Sequence, residues 1–107
     1  MQTDNRSLVD CIDKCFALAV DPSVTFDERQ IYQNRAFEMR ARLMTLLHAS
    51  FEEGMSKVIE ANAKIKLVNK MLDERLQSLQ RAAETVAALS DLVSTLNDLF
   101  KLPFAFI

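Results

Sequence analysis

The sequence predicts an all-α protein: an antiparallel helical hairpin or bundle of three helices, with a long coiled-coil-like helix at the C-terminus. The first observation is a stripe that advances alternately by three and four residues, the spacing that keeps one seam of a helix against another helix. Twelve of its thirteen positions are apolar. The stripe is Val58, Ala61, Ile65, Val68, Leu72, Arg75, Leu79, Ala82, Val86, Leu89, Val93, Leu96 and Phe100.

The second observation is the scarcity of residues that favour turns. The 107 residues include one glycine and two prolines, and neither Asn-Gly nor Asp-Gly occurs. A sheet protein of this length would need several tight turns, which such residues usually build. The length predicts a single helical domain over 1–107. We expect its helices at about 4–20, 26–52 and 56–101.

The first helix, over about 4–20, has a wide apolar stripe, which indicates contact with two neighbouring helices. Cys11 and Cys15 lie one turn apart on this helix. Their Cβ atoms then point in parallel rather than toward each other, so we do not expect a disulfide between them. A metal site would need two more ligands, and His48 is the only histidine. We therefore expect buried free thiols, with a redox or metal role as the alternative.

The second helix is predicted to begin after Pro22, which cannot continue the first. Thr25, followed three residues later by Glu28, matches the capping box that starts a helix. This helix carries two adjacent apolar stripes, which predicts that it lies between partners in a bundle. One stripe is Phe37, Met44, Leu47 and Phe51, and the other is Ala36, Met39, Leu43 and Leu46.

Gly54 decides how the second helix connects to the third. The long stripe extends backward through it in register with Phe51, so one helix from Phe26 to Lys101 is possible. A glycine inside a helix costs only about 1 kcal/mol. We favour a tight turn at 52–54, with Gly54 in the left-handed conformation that ends helices. That turn returns the third helix along the second.

The third helix, over about 56–101, has a wider apolar band beyond Arg75 than before it. This helix is longer than the second, so its C-terminal part overhangs, and we see no cover for it from the doubled-back first helix. An uncovered band of this width predicts self-association, as a homodimer. The predicted interaction surface is Leu89, Leu92, Val93, Leu96, Leu99, Phe100, Phe104 and Phe106.

Pro103 ends the third helix and leaves the short apolar segment 104–107. A free tail of this composition would be an aggregation liability. We expect it to fold back onto the bundle or onto the dimer partner, and docking into a groove of another protein is the alternative.

Arg75 is the one charged residue on the long seam. A polar residue at such a position can set register or pair with an acidic residue of a neighbouring helix. Its long side chain can also reach past its neighbours into solvent, and a ligand contact is the third possibility. Arg40, in the same frame, is interpreted in the same way.

The sequence contains no spacing pattern of a di-metal site, a nucleophilic catalyst or a phosphate-binding loop. We therefore predict that the protein is not an enzyme and has no catalytic, cofactor-binding or metal-binding residues. Its net charge of −2 lacks the positive field of a nucleic-acid binder. No apolar run approaches the ~18 residues of a membrane span, and the first residues lack the core of a secretory signal. We expect a cytoplasmic protein.

These observations predict a non-enzymatic helical protein–protein interaction module: an adaptor, chaperone-like or structural subunit that self-associates through its long C-terminal helix. The alternative is a bundle that binds a small apolar ligand where Phe16, Phe37 and Phe51 converge. An interfacial lipid-binding helix is disfavoured, because the polar face of 82–100 has almost no lysine or arginine.

Overall fold

The computed structural model describes residues 1–78 and 80–107 and is mainly helical. The all-α prediction is confirmed, but the described residues form four helices where three were predicted. The helices are α1 (Asn5–Ala19), α2 (Phe26–Leu46), α3 (Ser56–Gln77) and α4 (Ala82–Leu99). Two short strands, β1 (Ala49–Ser50) and β2 (Ala105–Phe106), pair antiparallel.

The helices form a bundle of 42 × 20 × 20 Å in which α1 and α4 each pack against both α2 and α3. Side-chain hydrogen bonds from Arg35 to Ser90 and from Arg42 to Asn97 advance in the same direction along both helices, so α2 and α4 are parallel. Lys64 contacts Asp91 whereas Lys57 contacts Asp98, so α3 and α4 are antiparallel.

Each helix contributes one apolar stripe to a common core, and this burial is the main favourable term in folding. The predicted seam is buried along α3, and the stripe of Ala36, Met39, Leu43 and Leu46 is buried along α2, as predicted. The largest fully buried side chains are Tyr32, Leu8, Leu18, Met39, Leu46, Ile65, Leu72, Leu89, Leu92, Leu96, Leu99 and Val58.

The prediction of one helix over 56–101 is wrong, because α3 ends at Gln77 and α4 begins at Ala82. Ser78 is extended, and Arg81 adopts the left-handed conformation with φ 64°. That conformation costs an L-residue roughly 1–2 kcal/mol. The cost is offset because the reversal folds the apolar band of α4 against α2 and α3. Leu79, a member of the predicted seam, lies outside the described residues.

Helix α2 begins as predicted, with the Thr25 hydroxyl accepting a hydrogen bond from the Glu28 N–H at 3.3 Å. Its predicted extent to residue 52 is wrong, since the helix ends at Leu46 and the chain then becomes extended. The predicted turn at 52–54 is confirmed: Gly54 has φ 76°, a conformation in which a side chain would be strained.

The C-terminal tail folds back onto the chain, as predicted. Ala49 pairs with Phe106, and the Ile107 N–H donates to the His48 carbonyl at 2.8 Å. The Phe104 ring lies 5.5 Å from the Phe51 ring, between centroids. The tail thereby covers the connection between α2 and α3.

The break between α3 and α4 can be tested by comparing Arg81→Gly with Arg81→Ala. Both variants remove the same exposed ion pairs, so they differ only in backbone preference. With residue 81 left-handed, the glycine variant should be more stable than the alanine variant by about 1 kcal/mol. In a continuous helix the order reverses, because glycine is about 1 kcal/mol worse than alanine there. Urea unfolding curves give the sign directly.

Candidate functional site

The predicted interaction surface lies mostly inside the bundle. Its five α4 residues are at most 4% exposed, because the reversal before Ala82 places this band against α2 and α3. Phe100 is half-buried, and the Arg42 guanidinium lies 5.0 Å from the centroid of its ring. Only Phe106, at 74%, is largely exposed. The five buried residues are Leu89, Leu92, Val93, Leu96 and Leu99.

Arg75 forms a buried ion pair within the chain. Its Nε and Nη2 atoms donate to the two carboxylate oxygens of Glu28 on α2 at 2.9 and 3.0 Å. Its Nη1 donates to the Ser78 carbonyl, where α3 ends, at 3.1 Å. Pairing with an acid of a neighbouring helix was one of the three possibilities for Arg75. The pair joins the start of α2 to the end of α3 and satisfies a carbonyl at the break.

Tyr32 completes this cluster by donating its hydroxyl hydrogen to Glu28 at 2.5 Å. Burial alone would raise the pKa of Glu28, but the hydrogen bonds from Arg75 and Tyr32 and the guanidinium charge together hold it below the usual value. Burial and the neighbouring carboxylate raise the pKa of the Tyr32 hydroxyl. The donors in this cluster therefore stabilise the ionised form of the Glu28 carboxylate, and the cluster joins α2 to α3.

Cys11 and Cys15 are free and buried, as predicted. Burial raises the pKa of each thiol to about 12. The Cys11 thiol faces the Ile65 carbonyl at 3.5 Å. Since the thiolate is the reactive form, these side chains are inert in the folded chain at neutral pH.

A face of α2 that was predicted to be buried is exposed instead. The stripe of Phe37, Met44 and Leu47 was expected to contact a second partner, yet Phe37 is 51% and Met44 65% exposed. Phe26, eleven residues before Phe37 and therefore on the same side of the helix, is 65% exposed. The core-facing side of α2 carries the other stripe, so the four helices leave this one uncovered.

Helix α1 and the residue that follows it add three apolar residues beside that stripe. The rings of Phe16 and Phe37 meet edge to face with 5.4 Å between centroids, which joins the two helices on their outer side. Val9 and Val20 flank Phe16 at helical spacing and are exposed. We call this surface the hairpin face. It consists of Val9 and Phe16 of α1, Val20 directly after α1, Phe26, Phe37 and Met44 of α2, and Leu47 directly after α2.

The hairpin face is large for a chain of this size. At about 200 Å² for a fully exposed large side chain, its exposed fractions amount to roughly 600 Å² of apolar surface. The largest apolar patch of a typical monomer covers about 300–600 Å² and is often functional. Sequence analysis did not find this surface. The polar residues Gln33 and Arg40, which interrupt the stripe on α2, are the signal that it faces outward.

The three aromatic residues proposed to line an apolar pocket do not converge. Phe16 contacts Phe37, whereas Phe51 packs on Phe104 of the tail. No pocket opens in the part of the chain that the structure describes. The same residues contain no cluster of three or more side chains able to hold a metal ion.

No family model, curated protein or solved structure matches this chain. Among the described residues, every helix is too short or too polar to cross a membrane.

Replacing Glu28 with glutamine should destabilise the protein strongly, because the buried Arg75 guanidinium then lacks its counter-charge. We expect Glu28→Gln to lose about 3 kcal/mol at neutral pH. Glu38→Gln is the control: it removes an exposed pair with Arg35 and should cost well under ~1 kcal/mol. Chemical unfolding of both variants beside the wild type gives the two values.

The difference in stability between the wild type and Glu28→Gln should also depend on pH. The pKa of Glu28 is lower in the folded chain than its ordinary value of 4.5, so its ionised form stabilises the native state above that pH. This stabilisation is lost as the pH falls through the folded-state pKa. The gap between wild type and Glu28→Gln should therefore narrow on acidification. A gap that stays constant down to pH 3 would contradict the ion pair.

The two thiols should react only when the chain opens. At pH 8 we expect labelling of Cys11 and Cys15 by a thiol reagent to be slower than labelling of the urea-unfolded chain by about 100-fold or more, because burial keeps them protonated. Time courses followed by mass spectrometry measure both rates. Equal rates in the folded and unfolded chains would show that α1 is not packed as described.

Proposed function

We propose that this protein is a non-enzymatic helical protein–protein interaction module, and that the hairpin face is the surface that binds its partner. The observation that supports the proposal is the group of exposed apolar side chains on the outer side of α1 and α2. Leaving it in water is unfavourable by about 25 cal/mol per Å². A partner that covers it would gain much of this free energy on binding.

The composition of the hairpin face suits a binding surface. Phenylalanine and methionine are enriched at protein interfaces, where the central residues are apolar and the surrounding ones polar. Phe16 and Phe37 lie in the middle of the face, and the charged residues Asp13 and Arg40 adjoin them at helical spacing. A rigid helical hairpin also presents these side chains with little loss of conformational freedom on binding.

Self-association through the C-terminal helix is a second candidate. The seam keeps one 3.5-residue frame from Val58 to Phe100 across the break. If α3 and α4 straightened into one helix, the band of α4 could pack into the bundle of another copy, as in domain swapping. This route would recreate the predicted long coiled-coil-like helix. It requires α4 to leave its own core, whereas the hairpin face requires no rearrangement.

A bundle that binds a small apolar ligand remains without a site in this conformation, because the described residues form no pocket. The two free thiols suit a reducing compartment such as the cytoplasm. We therefore keep the interaction module as the proposal and the cytoplasm as its place of action.

A photo-reactive phenylalanine analogue placed at Phe37 in the native host should form a defined adduct with a protein. The same analogue at Leu67 is the matched control, because Leu67 is exposed to a similar extent on α3, outside the hairpin face. We expect an adduct at position 37 that weakens when Met44→Glu is added, and none at position 67. Denaturing gels and mass spectrometry identify the partner.

Two outcomes of this experiment would contradict the proposal. If irradiation gives no protein adduct at position 37, or the same adducts at positions 37 and 67, the hairpin face is not a specific binding surface. Met44→Glu should leave the melting temperature almost unchanged, since Met44 is exposed, so a lost adduct would not reflect unfolding.

A further inference from the structure

We propose that the partner of the hairpin face is a second copy of this chain, in a two-fold symmetric dimer whose axis runs parallel to α1 and α2. The inference rests on the proposed function, because it names what the same surface binds. Two features carry it: the self-complementary charges of the face and its area.

Residues of α1 and α2 can be paired by their height along the helix axes, because the two helices are in contact. Phe16 contacts Phe37, and Asn5 donates its side-chain amide to the Leu46 carbonyl at 3.3 Å, so the helices are antiparallel. Three residues before Phe16 lies Asp13, and three after Phe37 lies Arg40. Because each residue rises about 1.5 Å, both lie about 4.5 Å from the ring pair toward the same end.

Val9 of α1 and Met44 of α2 also lie at the same height. Each lies seven residues from its phenylalanine, about 10 Å from the ring pair. The face therefore consists of matched rows across the hairpin: two aromatic rings, then an acid beside a base, then two aliphatic side chains. In every row, one member belongs to α1 and the other to α2.

A two-fold axis parallel to the helices places α1 of one copy over α2 of the other and leaves every residue at its own height. Phe16 then faces Phe37 of the second copy, and Val9 faces Met44 of the second copy. Asp13 faces Arg40 of the second copy, and symmetry forms this charge pair twice. The four phenylalanine rings meet in the adjacent row, about 4.5 Å along the axis from both charge pairs.

Both charged residues are free to make this contact. Asp13 and Arg40 are exposed, and neither forms a hydrogen bond or ion pair with the residues that the structure describes. An axis perpendicular to the helices would instead place α2 over α2 of the second copy. Arg40 would then face the exposed stripe of Phe26, Gln33, Phe37, Arg40, Met44 and Leu47, which contains no acid. Charge therefore selects the parallel axis.

The area of the face fits a dimer. A stable interface of standard size covers about 800 Å² on each partner. The roughly 600 Å² of apolar surface on the hairpin face supplies most of that area, and the row of Asp13 and Arg40 adds polar contacts. Exposed charge pairs add little affinity but select the orientation of the two copies.

The dimer can be tested with a charge-exchange set. Wild-type chain should dimerise with rising concentration in sedimentation velocity. Asp13→Arg places two arginines opposite each other, and Arg40→Glu places two acids opposite each other, so each variant alone should dimerise about tenfold more weakly. Mixed in equal amounts, the two variants should form a heterodimer of wild-type strength, because both pairs then have opposite charges.

Native mass spectrometry distinguishes heterodimer from homodimers when one variant carries a mass tag. Recovery in the mixture shows that the pair forms between copies and not within one chain. The double variant Asp13→Arg with Arg40→Glu should likewise dimerise as the wild type does. Circular dichroism should show that each variant keeps its helices, since both positions are exposed.

A wild-type chain that stays monomeric up to millimolar concentration would overturn the inference. So would single variants that dimerise as strongly as the wild type, or weak single variants whose mixture shows no recovery. The proposed function is contradicted by a different result, the absence of a specific adduct at position 37. A monomeric chain that still forms an adduct with another protein at position 37 keeps the interaction module and removes only the second copy as its partner.

Discussion

The buried ion pair between Arg75 and Glu28 holds the end of α3 against the start of α2. Arg75 lies in the last turn of α3 and Glu28 in the first turn of α2, so the pair ties the two helices together at one end of the bundle. The same guanidinium donates to the Ser78 carbonyl, one of the backbone groups that a helix end leaves unpaired. Removing either partner would leave a buried charge without its counter-charge, which is strongly destabilising.

The reversal after α3 determines which apolar surface is buried in the bundle and which is exposed to solvent. With α4 folded back, Leu89, Leu92 and Leu96 become core residues of their own chain. Among the described residues, the four helices bury one stripe each, and the second stripe of α2 lies on the outside of the bundle. An exposed apolar surface is therefore left at the hairpin face rather than at the C-terminal band.

Periodicity predicted the helical class and the seam from Val58 to Leu72, the capping box predicted the cap at Thr25, and the single glycine predicted the turn at Gly54. None of these patterns predicted the break before Ala82, because Ser78, Gln80 and Arg81 include no glycine or proline. The left-handed Arg81 is selected by tertiary packing rather than by local preference. The partner of Arg75 was beyond sequence reasoning because it lies 47 residues away. The two stripes of α2 looked equally apolar, and only Gln33 and Arg40 separate the exposed one from the buried one.

The most direct test of this account is the distance between residues 57 and 98, measured by spin labels on Lys57→Cys and Asp98→Cys with both native cysteines replaced by alanine. The side chains of Lys57 and Asp98 lie 3.9 Å apart, so labels there should be within about 20 Å of each other. Dilution with unlabelled chain keeps only distances within one molecule. A short distance that persists on dilution is the result we expect. A distance near 60 Å, the length of one continuous helix between these residues, would contradict the account.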